Sequence, residues 1–379
     1  MKVSLEILGL LVLTSLMDTA QAQEVSIPDV VLNRAIRREL HQLVGPLTIQ
    51  GLLSLTNLDA SDRAFPPGPQ IRSLEGLGEA HNLTTLNLAY NQLTTLVLPA
   101  GLTNLTSLNL RGNGLRHFSS LSGLTGLAWL DLGQNALTDF AFLVGLTNLA
   151  VLDLSQNRLT DASFVQELIN LTTLYLAENQ LTNFSFLAGL TKLSSLDIGY
   201  NQISSLTLPA GLTKLSTLTL GGNQLTDFSF LNELPNVTHL DLDGNGLTDF
   251  TLPAGLTNLT LLDLEGNRLT DFTLPPGLPN LSSLSLYANQ LRSLVLPAGM
   301  TNLSQLYLSG NKLTNFEFLV GLTNLISLDL GDNQLTSLGL PGGLPNLAQL
   351  YLGGNKLTNF TGIPQEAKPD RDPSFFRGN

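Results

Sequence analysis

The four histidines, His41, His81, His117 and His239, are the side chains best suited to metal binding or proton transfer, and their spacing serves neither. A zinc site on one element brings two histidines within a few residues of each other, whereas these lie in four separate stretches. The chain has no cysteine, which excludes disulfides, zinc–thiolate sites, a lipidated N-terminal cysteine and a thiol nucleophile. No phosphate-binding loop, dinucleotide fingerprint or nucleophile elbow occurs. Carboxylates remain: Asp241 and Asp263 stand 22 residues apart, and so do Asp243 and Glu265. Brought together, four such groups could meet a cation or a basic partner. The competing account is that they are solvated charges in a common phrase. These residues give no metal site, no cofactor and no catalytic group, so no enzyme is expected.

That spacing of 22 runs through the molecule. The pattern L-x-x-L-x-L-x-x-N recurs thirteen times, closing on Asn91, Asn113, Asn135, Asn157, Asn179, Asn201, Asn223, Asn245, Asn267, Asn289, Asn311, Asn333 and Asn355. A strict period of this length is the mark of a solenoid, in which each unit buries its apolar face only against its neighbours. Within one unit, strand alternation points Leu218 and Leu220 inward and Thr217, Thr219 and Gly221 outward. Asn223 follows where the chain must turn inside the core; a carboxamide carries both donors and acceptors for the turn's backbone, so these asparagines are expected to form a structural ladder. Five residues after the Asn comes another inward position, filled by Phe118, Phe140, Phe184, Phe228, Phe250, Phe272, Phe316 or Phe360 in eight units. Return segments come in two kinds. DFSFLNELPNV, from Asp227, predicts short helical turns, and SLTLPAGLTKL, from Ser205, predicts extended chain before its proline.

Segments such as LTSLNLRGNGL and LTLLDLEGNRL resemble the leucine-rich repeats of the short bacterial class, and the chain is similar to internalin-type surface proteins over about residues 27–360. The resemblance implies an α/β repeat fold: a right-handed leucine-rich-repeat horseshoe with a parallel sheet on the concave face, helical or extended convex segments and a helical N-terminal cap. In PDVVLNRAIRRELHQL, Val31, Leu32, Ala35, Ile36, Leu40 and Leu43 share one helical face, with Pro28 opening the helix. The following PLTIQGLLSLTNLDAS resembles the cap of internalin-type proteins, and AFPPGPQ is an insertion before Ile71.

The organisation expected is therefore a signal peptide at 1–22, a cap and degenerate first repeat at 23–82, the solenoid at 83–360 and an irregular tail at 361–379. Lys2, the apolar run Ile7 to Leu16 and the small residues of Ala20-Gln21-Ala22 make the first segment a secretory signal. A secreted, periplasmic or cell-envelope location follows, and export without cysteine fits a bacterial protein. No later stretch approaches the ~20 apolar residues of a spanning helix, so no membrane insertion is expected. A formal net charge of −12 disfavours nucleic acid.

If leucine and asparagine build the scaffold, recognition must use the outward strand positions. Tyr90, Trp129, Tyr175, Tyr200, Tyr287, Tyr307 and Tyr351 are expected there, with His239, Asp241, Asp243, Asp263 and Glu265. Tyrosine and tryptophan are the residues enriched at interface hot spots; packing on neighbouring units is the other account of them. The expectation is a monomer that binds a protein ligand on its concave face, from a host, a neighbouring cell or the envelope. The alternatives are an adhesive envelope component recognising glycan, or a recruitment module of a larger assembly.

Overall fold

A computed structural model describes residues 23–62, 68–118, 121, 123–138, 140–337, 339–340 and 344–358, with backbone alone at 117 and 118. The signal segment, the tail from 361, Phe360, the Phe118 side chain and most of the proline-rich insertion lie outside the described residues. The fold is a parallel-sheet solenoid of 22-residue leucine-rich coils. The chain divides into two compact units: Met1–Leu159 with Ser163–Tyr175, and Thr160–Ala162 with Leu176–Asn379.

The first unit begins with two short helices, α1 (Val30–Glu39) and α2 (Ile49–Leu53). Asp29 starts α1: one of its oxygens accepts from the N–H of Val31 and Leu32, each at 3.0 Å. Its other oxygen accepts from Arg72 at 2.8 Å and Ser73 at 3.3 Å, tying the helix to the chain after the insertion. The cap is thus Asp29 and not Pro28, because a carboxylate satisfies free helical N–H groups and proline cannot. Leu32, Ala35 and Ile36 are buried, but Leu43 is 81% exposed. The helix ends at Glu39 and His41 adopts a left-handed φ of 51°, so the apolar period does not extend to Leu43.

After the caps each coil contributes one three-residue strand. In the first unit these are Asn57–Asp59, Thr85–Asn87, Ser107–Asn109, Trp129–Asp131, Val151–Asp153 and Thr173–Tyr175, paired parallel in that order. In the second they run Ser195–Asp197, Thr217–Thr219, His239–Asp241, Leu261–Asp263, Ser283–Ser285, Gln305–Tyr307, Ser327–Asp329 and Gln349–Tyr351. From Thr85 onward the strand pairings within each unit join residues 22 apart, so identical positions stack, and the central leucines (Leu86, Leu108, Leu130, Leu218, Leu240) are fully buried. Register is over-determined, since a one-residue slip would turn every leucine to solvent.

Return segments follow their two sequence types. Phenylalanine-rich coils make 3-10 turns at Ala141–Leu143, Ser163–Glu167, Ser185–Leu187, Ser229–Glu233 and Glu317–Leu319. The Leu-Pro coils carry extended chain instead, and Asp271–Thr273 pairs in parallel with Ser293–Val295 of the next coil. Phenylalanine packs behind the sheet: Phe140 stacks on Phe164 at 4.8 Å, and Phe228 meets Phe250 edge-on at 5.1 Å.

Candidate binding face of the strands

The turn asparagines are tied into the backbone on both sides. Asn223 Nδ2 donates to Ile198 O of the preceding coil at 3.1 Å and to Leu220 O at 2.9 Å, and its Oδ1 accepts from the N–H of Asn201 and Ile203. Three of these bonds recur along each unit, the two Nδ2 donations and the Oδ1 acceptance equivalent to that from Ile203, with Leu137, Leu247 and Leu313 donating to Asn157, Asn267 and Asn333. At the first full coil Asn91 Oδ1 accepts from Ile71 and its amide donates to Ala60, which draws the degenerate coil into the ladder. Of the thirteen, Asn113, Asn135 and Asn355 are half-buried and the others buried. Their side chains are consumed by backbone, and none is free for a ligand.

A second set of contacts shapes the outward positions. Where a strand ends in Asp or Asn, that side chain turns back to accept the N–H two residues on: Asp153 from Ser155, Asp241 from Asp243, Asp263 from Glu265 and Asp329 from Gly331, all at 2.8–2.9 Å. The recurrent aspartate of the Leu-Asp-Leu phrase therefore closes the turn, whatever else it does.

In the first unit these carboxylates have a counter-charge. Arg111 Nη1 donates to Asp153 Oδ2 at 2.9 Å and lies 3.8 Å from Asp131 Oδ1, while Nη2 donates to Gln156 at 3.2 Å. One guanidinium thus spans the two coils after its own. Burial works against its charge, and Asp153 and Asp131 outweigh that and hold it protonated. Asp131 is only 7% accessible.

In the second unit Asp241 and Asp263 are register partners on neighbouring strands. Burial pushes the Asp241 carboxyl up to about 7, with Asp243 and Asp263 adding to the shift. Burial also raises Asp263, against the opposing Glu265 N–H and Ser285 hydroxyl. Glu265 rises through burial and then through Asp263 and Asp243. Tyr200 donates its hydroxyl to Asp243 at 3.2 Å, and that carboxylate raises the phenol. Among the described residues no group of three or more His, Cys, Asp or Glu is arranged to hold a metal ion.

The aromatic residues separate into two sets. Trp129, Tyr175, Tyr307 and Tyr351 stand on strands, and Tyr287 two residues past one. Tyr90 and Tyr200 are not on strands: each sits in the turn just before a ladder asparagine, with φ of 59° and 55°. Each ring lies over the glycine one coil on, Gly112 or Gly222, where any Cβ would collide with it. They serve at least partly as packing. Tyr287 is 42% and Tyr351 51% exposed. Tyr287 and Tyr307 line one open depression of about 540 Å3 with Asp263, Glu265 and Asp329. His239 is exposed beside Thr238, whose Oγ1 is 2.8 Å from its Nδ1. The structure brings Asp263, Glu265, Tyr287 and Tyr307 together; it leaves Trp129 and Tyr175 in the other unit, half-buried.

The model of paired leucine-rich repeats matches residues 81–126, 169–210, 195–233, 235–276, 279–321 and 323–365. The chain belongs to the leucine-rich-repeat family. Among solved structures, it is similar to an internalin (InlF) of Listeria monocytogenes, at 28% identity over 88% of this chain and 91% of that one, with a TM-score of 0.65. Internalin C2 of the same organism is 32% identical over 58% of this chain and 98% of its own, at 0.54. A leucine-rich-repeat protein of Leptospira interrogans is 28% identical over 82% and 93%, at 0.63. A comparison with curated proteins finds no match.

Two features of this leucine-rich-repeat chain escaped the sequence reasoning. One is the Arg111 bridge, whose hydrogen-bond acceptors lie 42 to 45 residues away and whose other ion-pair partner is Asp131. The other is an outer asparagine ladder. Asn104, Asn148, Asn236, Asn258, Asn280, Asn302, Asn324 and Asn346 each donate Nδ2 to the carbonyl 23 residues earlier. Its signal was present, because the Thr-Asn-Leu phrase keeps the same period of 22.

Proposed function

We propose that this leucine-rich-repeat protein is exported by a bacterium and binds another protein through the outward face of its strands. Lys2, the apolar run Ile7 to Leu16 and Ala20-Gln21-Ala22 support export. Likeness to Listeria and Leptospira proteins over most of the chain supports a bacterial source, and an exported chain would meet its partner at a host, a neighbouring cell or the envelope. The observation that carries the reading is that Tyr287 and Tyr307 flank one depression where the leucine core needs no aromatic side chain. Large rigid rings with a polar end, at an open and incompletely covered site, are what hot spots are made of. We assign no catalytic step.

The test is a pull-down with the purified mature protein, compared with the Tyr287→Ala/Tyr307→Ala variant. Partner capture by the parent and its loss in the variant support the reading. A partner retained equally by both contradicts it, and capture of glycan alone on an array moves the protein to the adhesive class.

A further inference from the structure

The strand face of the second unit has a consistent charge pattern. From Ser195 to Gly354 neither the strands nor the three residues between each strand and its ladder asparagine include a lysine or an arginine. The same positions hold Asp197, Asp241, Asp243, Asp263, Glu265, Asp329 and Asp332. Among the described residues Asp263, Glu265 and Asp329 have no ion pair, although Asp263 and Asp329 each spend one oxygen on a turn N–H. All three line the depression with Tyr287 and Tyr307, together with Ser283, Ser285 and Gln305.

Its chemistry is specific. Carboxylates on the wall call for a cation, and two phenol rings beside them offer flat, electron-rich faces. A guanidinium is the side-chain cation that satisfies both: it pairs with carboxylates through a planar fork and stacks on aromatic rings. It is also more weakly hydrated than an ammonium, so a half-enclosed site costs it less. The first unit shows that these coils accept such a group, since Arg111 lies across the carboxylates of two successive coils. We propose that the depression between Tyr287 and Tyr307 takes an arginine side chain from a basic segment of a protein partner. The proposal rests on the strand face being the binding face, and it adds the chemistry of the occupant.

The full chain is titrated, by fluorescence anisotropy, with three synthetic Gly-Ser peptides carrying arginine, lysine or the neutral analogue citrulline at the same positions. The arginine peptide is expected to bind about tenfold or more tightly than the citrulline peptide, as for an interfacial charge pair, with the lysine peptide between them. The double variant Asp263→Asn/Glu265→Gln should abolish that preference without lowering the melting temperature. Asparagine at 263 keeps an oxygen for the Glu265 N–H, so the turn is retained. Equal binding of the arginine and citrulline peptides, or a preference that survives both neutralisations, overturns the proposal. Partner capture that needs Tyr287 and Tyr307 but ignores the neutralisations also overturns it, and leaves the strand-face reading standing. If capture ignores the tyrosines while the arginine preference is lost with the carboxylates, it is the tyrosine-based reading that falls.

Discussion

The strand faces of the two units are written in nearly the same phrases and hold their charge differently. In the first, Asp131 and Asp153 sit under Arg111, which lies within 4 Å of both. In the second, Asp241, Asp243, Asp263 and Glu265 crowd together, and burial with mutual repulsion raises Asp241, Asp263 and Glu265. A buried carboxylate with a partner is structure; carboxylates held close without one store a free-energy cost that a cationic ligand can relieve. The scaffold is the same in both, so the difference lies in one residue per coil.

The comparison is sharpened first by breaking what the units share. Asn157→Ala in the first unit and Asn223→Ala in the second should each cost on the order of 1–3 kcal/mol, because each strips partners from buried turn backbone. Denaturant melts giving a loss in one unit and none in the other would show that the ladder is not a common foundation.

The next largest effect should come from Arg111→Met, which keeps much of the aliphatic stem and removes the cation. Asp131 is then left 7% accessible without its counter-charge. A loss of about 1–2 kcal/mol is expected, reduced from the fully buried case because the guanidinium is partly exposed. A melt equal to the parent's would mean that the first unit's acids need no neutralisation.

Titration should separate the units by sign. Asp29 takes four backbone N–H donors, which outweigh burial and lower its carboxyl. Its contribution is present above the ordinary carboxylate value of 3.8 and is lost as pH falls through the lowered one. Asp241 is raised to about 7, so its contribution is complete below 3.8 and lost as pH rises through about 7. Stability attributable to Asp241 therefore falls from pH 4 to 8, and Asp241→Asn should flatten that slope and raise the melting temperature at pH 8. Asparagine retains the oxygen that accepts the Asp243 N–H. An unchanged slope in the variant would assign the pH dependence elsewhere.

What the sequence discloses follows from how far apart the deciding residues lie. Leu218, Leu220 and Asn223 are legible because one 22-residue unit contains their whole reason, and thirteen repetitions leave no choice of register. Tyr90 and Tyr200 are misplaced by pattern alone, since a strand of three residues has only two outward positions and the residue before the asparagine belongs to a left-handed turn. Leu43 is misplaced because helical period says nothing about where a helix stops. Arg111 is invisible until coils are stacked, as its acceptors stand one and two coils on. The Asp241 carboxyl is raised by its burial and by carboxylates of its own and the next coil, and no single repeat records that.

The central claim is that recognition and scaffold are separable on this face. The measurement that tests it most directly pairs a denaturant melt with partner capture for the Tyr287→Ala/Tyr307→Ala variant. Surface substitutions usually change stability by no more than about 0.5 kcal/mol, and Tyr287 is exposed while Tyr307 is half-buried on the open strand face; loss of a hot spot weakens binding by about 2 kcal/mol or more. The account predicts an unchanged melt with weakened capture. A variant that captures the partner as well as the parent, or one whose capture fails only because it has unfolded, would contradict it.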